Sequence, residues 1–115
     1  MEIEIQNSPL AVDAGDTTFV LEDLGTALTT LILTIDGFPP IQHDEPHKGS
    51  LSKILKLPKG TYECNIFIAS YRHGAPGPSY RSKVTVDGTT VATAEGSIDK
   101  DDSERGDEDF TLNVA

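Results

Sequence analysis

The fold of this chain is decided by the stretch Leu57–Ile68, which reads LPKGTYECNIFI. Pro58 and Gly60 are typical of a turn, because proline fixes one backbone angle and glycine adopts conformations closed to other residues. After the turn, every second residue is apolar or aromatic, which is the period of a strand with one buried face. The stretch therefore predicts a tight turn that leads into a long β-strand.

The same alternation recurs along the rest of the chain and predicts about eight strands. They are residues 1–6, 17–22, 28–35, 50–57, 61–71, 80–86, 89–94 and 110–114. Residues 50–57 also fit a helical turn, but the proline and glycine that follow at once favour a strand. We predict loops at residues 38–49, 72–79 and 96–109. Within the last loop, we expect residues 97–109 to be the most mobile internal segment of the chain.

A two-residue turn at Asp87-Gly88 predicts a hairpin, because this pair readily adopts the left-handed backbone angles of a type I′ turn. The turn implies a register in which Val86 lies opposite Thr89 and Val84 opposite Val91. Many short strands separated by loops indicate an all-β fold, a single antiparallel β-sandwich. A small β-barrel is the alternative.

Length and composition limit the classes of protein to which the chain can belong. A chain of 115 residues is most simply one domain, and its net charge of −10 disfavours nucleic acid as a partner. Cys64 is the only cysteine, so no intrachain disulfide forms, and we expect it to be buried and reduced. The acidic start of the chain does not resemble a signal peptide, and no apolar run is long enough to span a membrane. We therefore expect a cytoplasmic protein, or one exported without a classical signal peptide.

The turn and strand at residues 57–69 resemble those that precede the last hairpin of immunoglobulin-like and fibronectin type III domains. The matching positions are Leu57, Pro58, Gly60, Tyr62, Cys64, Ile66 and Ile68. A tyrosine two residues before a cysteine also resembles the tyrosine corner of these sandwiches. The resemblance implies an immunoglobulin-like sandwich with a role in binding or scaffolding. The chain departs from the pattern in having no tryptophan, no second cysteine and two further strands after this segment.

Two tyrosine-arginine pairs flank the loop at 73–78 and form the only basic and aromatic cluster of this acidic chain. If their strands form one hairpin, both pairs lie near one loop end. Tyrosine and arginine are favoured in protein interfaces, because they combine a large contact area with directed hydrogen bonds. We therefore predict a partner-binding site for a protein or an anionic ligand. Its residues are Tyr71, Arg72, His73, Tyr80 and Arg81.

The acidic segment 99–109 holds seven carboxylates and only two basic residues. Its charge of −5 is half of the net charge of the chain. Clustered carboxylates suit calcium, and the candidate ligands are Asp99, Asp101, Asp102 and Glu104. The spacing does not fit an EF-hand, because Glu104 and Phe110 occupy the positions of the required glycine and glutamate.

No motif for a nucleophile, a phosphate loop or a catalytic metal is present in the sequence. We predict a non-enzymatic β-sandwich without a cofactor that binds another macromolecule as an accessory, scaffold or surface-recognition protein. The alternative is a calcium-dependent module that binds carbohydrate or lipid headgroups through the acidic segment 99–109.

Overall fold

The structure is a computed structural model that describes residues 1–44, 49–72, 78–98 and 103–115. Two five-stranded sheets face each other and form a β-sandwich, as the sequence predicts. Sheet one contains, from edge to edge, β1 (Glu4–Ile5), β9 (Thr89–Ser97), β8 (Ser79–Val86), β3 (Gly15–Asp23) and β6 (Gly49–Leu57). Sheet two contains β2 (Leu10–Val12), β10 (Ser103–Val114), β7 (Gly60–Tyr71), β4 (Leu28–Ile35) and β5 (Ile41–His43).

The sheets remain separate, so the alternative of a closed barrel is wrong. All strand pairs between described residues are antiparallel except β2 with β10, which is parallel. No part of the chain that the structure describes forms a helix with the length and apolarity needed to cross a membrane.

The core lies between the sheets and is filled by alternate residues of the long strands. In sheet two these include Leu31, Leu33, Ile66 and Ile68, each at most 1% exposed. The side chains between them point to the outer face, because successive residues of a strand face opposite sides. A residue that lies between two buried residues of a strand therefore belongs to the outer face of its sheet.

Tyr62, near the start of β7, stabilises the turn that precedes this strand. The Tyr62 hydroxyl donates a hydrogen bond to the Pro58 carbonyl oxygen at 2.7 Å. This backbone contact a few residues upstream is the one that a tyrosine corner makes. Cys64, two residues later, is buried and makes no disulfide, as expected.

The described residues contain ten strands rather than about eight, because β2 and β5 were not expected. Each has three residues, too few to show a period in the sequence. They form because a long neighbour, β10 or β4, offers them a ladder of backbone hydrogen bonds.

The predicted acidic loop is wrong for residues 103–109, which belong to β10 and pair with β7 residue by residue. Backbone hydrogen bonds hold this half of the strand, and the carboxylates of Asp107, Glu108 and Asp109 are exposed, so the like charges do not prevent pairing. The segment 103–109 is thus not the mobile loop that we expected. Residues 99–102 lie outside the described part of the chain.

The hairpin of β8 and β9 forms with positive φ angles at both Asp87 (48°) and Gly88 (80°), which is the conformation of a type I′ turn. Val86 lies opposite Thr89 as predicted, but Val84 lies opposite Ala92 and not Val91. A β-bulge causes the shift, and it lets both Val91 and Ala92 be fully buried.

The longer connections of the chain meet at one end of the sandwich, which we call the loop end. Leu28, Tyr71 and Ser103 lie side by side at this end of sheet two. Asp23 lies beside Gly49 at the same end of sheet one. The connections after His43, Tyr71 and Ser97 therefore all leave from the loop end, whereas the opposite end carries the three two-residue turns at 13–14, 58–59 and 87–88.

Candidate binding surface

Four apolar side chains form a strip on the outer face of sheet two, near the loop end. Leu28 on β4 lies opposite Tyr71 on β7, and Ile32 lies opposite Phe67 four residues further from the loop end. Tyr71 is 43% exposed, and the other three are half-buried. We call these four residues the apolar strip.

The local sequence explains why apolar residues face outward here. β4 reads LTTLILTI, so apolar residues occur at both alternating positions. The inward set, which includes Leu31 and Leu33, fills the core, and the outward set is left on the surface. Between the two pairs of the strip, Thr30 lies opposite Ala69, which is buried.

Strand β10 lines one side of the apolar strip with charged residues. Arg105 lies opposite Ala69, Asp107 opposite Phe67, and Asp109 opposite Asn65. The Asn65 side-chain amide donates to both carboxylates, to Asp107 Oδ2 at 3.1 Å and to Asp109 Oδ1 at 2.9 Å. These hydrogen bonds fix the two carboxylates beside the strip.

The outer face of sheet one is charged instead. Glu22, Lys83, Thr93 and Glu4 form one row across four strands. They line a shallow groove of about 720 Å³ in which carboxylates surround two basic side chains. Around this groove the outer face of sheet one is polar, and its exposed apolar residue Ile54 stands on β6 opposite Thr18. Sheet two differs because its apolar side chains lie in cross-strand pairs.

The four predicted partner-binding residues that the structure describes do not share one surface. β7 and β8 belong to different sheets, so the two strands do not form one hairpin. Tyr71 belongs to the apolar strip, and Arg72 is exposed directly after it. Arg81 lies on the outer face of sheet one, 3.9 Å from Glu95, and His73 lies outside the described residues.

Tyr80 is buried and does not display its ring as the sequence suggested. Only 5% of it is exposed, and it packs so tightly on Gly96 that an added Cβ there would lie 2.5 Å from the Tyr80 hydroxyl oxygen. Burial, and after it the Glu104 carboxylate that accepts its hydrogen bond, raises the pKa of the Tyr80 hydroxyl. Tyr80 therefore anchors β8 to β10 in the interior.

Of the four candidate calcium ligands, Asp99, Asp101 and Asp102 lie outside the described residues. The fourth, Glu104, has protein partners, because it lies 3.3 Å from the Met1 ammonium group and also accepts the hydrogen bond of Tyr80. Within the described ranges, no group of three or more histidine, cysteine or acidic residues is placed to hold a metal ion.

Cys64 does not belong to a reactive site. Burial, and then the nearby carboxylates of Glu63 and Asp36, raises the pKa of its thiol to about 12. At neutral pH the thiol is protonated and therefore a poor nucleophile.

Sequence reasoning predicted Tyr71 but missed the other three residues of the apolar strip, Leu28, Ile32 and Phe67. It also missed Arg105 beside the strip. The two-sided apolar pattern of residues 28–35 was a usable signal for an apolar outer face, but it predicted only a strand. Comparison with known proteins adds no assignment, because no protein-family model, no curated protein and no solved structure matches this chain.

Proposed function

We propose that this chain is a non-catalytic binding module that holds another protein against the apolar strip of sheet two. The observation that carries the proposal is the pairing of Leu28 with Tyr71 and of Ile32 with Phe67 on an outer face. A solvated sheet face normally carries polar residues, so two apolar pairs so close together are typical of a surface that becomes covered.

The composition around the strip supports a protein as the covering partner. Aromatic residues and arginine are enriched in protein interfaces, and Phe67, Tyr71 and Arg105 supply them here. Polar residues at the margin, such as Asp107 and Asn65, fit the wet rim that surrounds the apolar centre of such interfaces. The placement near the loop end fits the general use of sandwich loops and their flanks in recognition.

We also propose that the sandwich is immunoglobulin-like with an inserted hairpin. In immunoglobulin constant domains, strands B and E are neighbours in one sheet, and C, F and G form the other. The neighbours β3 and β6, and the set β4, β7 and β10, have the same relations. The tyrosine corner at the start of β7 supports this relationship. The hairpin of β8 and β9 is the difference, because it lies between β1 and β3 in sheet one.

Photo-crosslinking in the cells that produce the protein tests the binding function. A benzophenone amino acid replaces Phe67 in the strip or, as a matched control, Lys83 on the outer face of sheet one. We expect a crosslinked adduct of defined size from position 67 and none of that size from position 83. The double variant Leu28→Ser with Ile32→Ser should remove the adduct while the melting temperature shows that the fold persists. The same adducts from both positions, or none from position 67, would contradict the proposal.

A further inference from the structure

Strand β10 is paired unequally on its two sides. On one side it pairs with β7 along its whole length, from Ser103 to Val114. On the other side it pairs with β2, and only at Leu112, Asn113 and Val114. Among the residues that the structure describes, no strand pairs with the remaining part of this side. We call residues 103–109 on this side the open edge.

Along the open edge, no described residue pairs with the backbone N–H and C=O groups that point away from β7. In an antiparallel ladder, alternate residues direct their N–H and C=O groups to opposite sides of the strand. The Thr111 amide points away from β7, since it donates to the Ser8 hydroxyl at 3.0 Å. The same alternation directs the N–H and C=O groups of Arg105, Asp107 and Asp109 to the open side, and all three residues are exposed.

The charges of the open edge decide what can pair with it. Asp107, Glu108 and Asp109 follow one another directly, and Arg105 is the only basic residue of this half of the strand. A second copy of the edge would place carboxylates opposite carboxylates, which destabilises strand pairing. Lysine or arginine at alternate positions of an added strand would instead lie beside Asp107 and Asp109, which Asn65 already holds in place.

We propose that the open edge of β10 accepts an extended segment of a partner protein that carries lysine or arginine at alternate positions. The segment continues sheet two as an added strand, with backbone hydrogen bonds to Arg105, Asp107 and Asp109. This mode of binding takes its affinity from main-chain hydrogen bonds and its specificity from alternate side chains. The inference rests on the proposed function in that it names the partner's binding segment, and the added strand lies on the same sheet as the apolar strip.

Synthetic peptides test the inference on the unmodified protein. The probe is a fluorescent seven-residue peptide that alternates lysine with threonine, measured by fluorescence anisotropy in 0.15 M salt. Two matched peptides carry either glutamate in place of lysine or N-methyl groups on the backbone amides that would face β10.

We expect saturable binding of the lysine peptide. Binding should be weaker by about tenfold or more for both controls, because the glutamate peptide loses charge complementarity and the N-methylated peptide loses two or more hydrogen bonds. Equal binding of the N-methylated peptide would overturn the proposal, since charge alone would then explain it. Absence of lysine-peptide binding at millimolar concentration would also overturn it.

Variants of the protein locate the binding at the edge. Asp107→Pro removes an N–H group that points to the open side and leaves the ladder with β7 intact, so the fold should hold and peptide affinity should fall about tenfold. Asp107→Lys combined with Asp109→Lys should reverse the preference toward the glutamate peptide.

Unchanged peptide affinity in both variants would move the site away from β10. A dimer of the unmodified protein that Asp107→Pro disrupts would replace the proposed partner with a second copy. Because these assays report on the edge and crosslinking from position 67 reports on the strip, failure of one is distinguishable from failure of the other.

Discussion

Gly25 packs directly against the backbone of Ser79, so that a Cβ on Gly25 would lie 2.5 Å from the Ser79 carbonyl oxygen. That oxygen also accepts hydrogen bonds from the amides of Thr26 and Ala27, each at 2.8 Å. The connection between β3 and β4 is thereby held against the start of β8. Since β3 and β4 lie in different sheets, this contact fixes the geometry of the sandwich at the loop end.

We predict that Gly25→Ala lowers the free energy of unfolding by about 2 kcal/mol or more, because the methyl group meets rigid backbone atoms. Urea unfolding measures the change, with Ser52→Ala on the exposed face of β6 as the control for a change in side-chain size. A stability equal to that of the control would mean that β8 shifts freely, and the loop end would then be less constrained than the structure indicates.

The second prediction separates the two faces of sheet two. Ile66→Asp places a charge in the core and should cost about 3–5 kcal/mol, because no partner there compensates its desolvation. Ile32→Asp places the same charge in the apolar strip and should cost only about 1 kcal/mol, because the side chain reaches water. Thermal melts of both variants test this difference. A similar large loss in both would show that the strip is part of the folding core rather than a docking surface.

How much of this molecule follows from the sequence depends on whether the signal is local. β4, β7 and the Asp87-Gly88 hairpin were predicted, because alternation and turn residues are local properties. The acidic half of β10 was missed, because its pairing with β7 is a tertiary contact that its own side chains do not encode. The apolar strip was missed for a related reason, since Leu28 and Tyr71 become neighbours only once the register of β4 and β7 is known.

The third prediction concerns pH and the buried thiol of Cys64. Folding raises its pKa from 9.0 to about 12, so the folded state disfavours the thiolate. The resulting stability is complete below pH 9 and is lost as the pH rises from 9 toward 12, because the unfolded chain then ionises first. Cys64→Ala should show a shallower loss of stability than the unmodified protein between pH 8 and pH 11. Parallel pH profiles would indicate that the thiol ionises as easily in the folded protein as in the unfolded chain.

The fourth prediction addresses calcium. Glu104 is engaged by Tyr80 and the Met1 ammonium group, so recruiting it to an ion would cost these contacts. We expect the melting temperature to be the same in calcium and in chelator, because only a ligand of the native state raises it. A calcium-dependent rise that disappears in Glu104→Gln would revive the calcium-dependent alternative, with residues 99–102 as the place to look for its remaining ligands.

The last prediction tests the hydrogen bonds that organise the carboxylates beside the strip. Asn65→Asp replaces an amide that donates to Asp107 and Asp109 with a third carboxylate, so two hydrogen bonds become two repulsive contacts. The free energy of unfolding should fall by about 1–2 kcal/mol at pH 7. The loss should shrink as the pH falls, because protonation of the introduced carboxylate removes the repulsion. It should also shrink in 1 M salt, where the Debye length is about 3 Å.

Asn113→Asp is the matched control, because Asn113 lies on the same outer face of sheet two and uses its side-chain oxygen to accept a hydrogen bond from Thr61, which a carboxylate can also do. Equal losses in the two variants, with equal dependence on salt, would show that Asn65 does not organise Asp107 and Asp109, and the open edge would then lack its pre-arranged carboxylates.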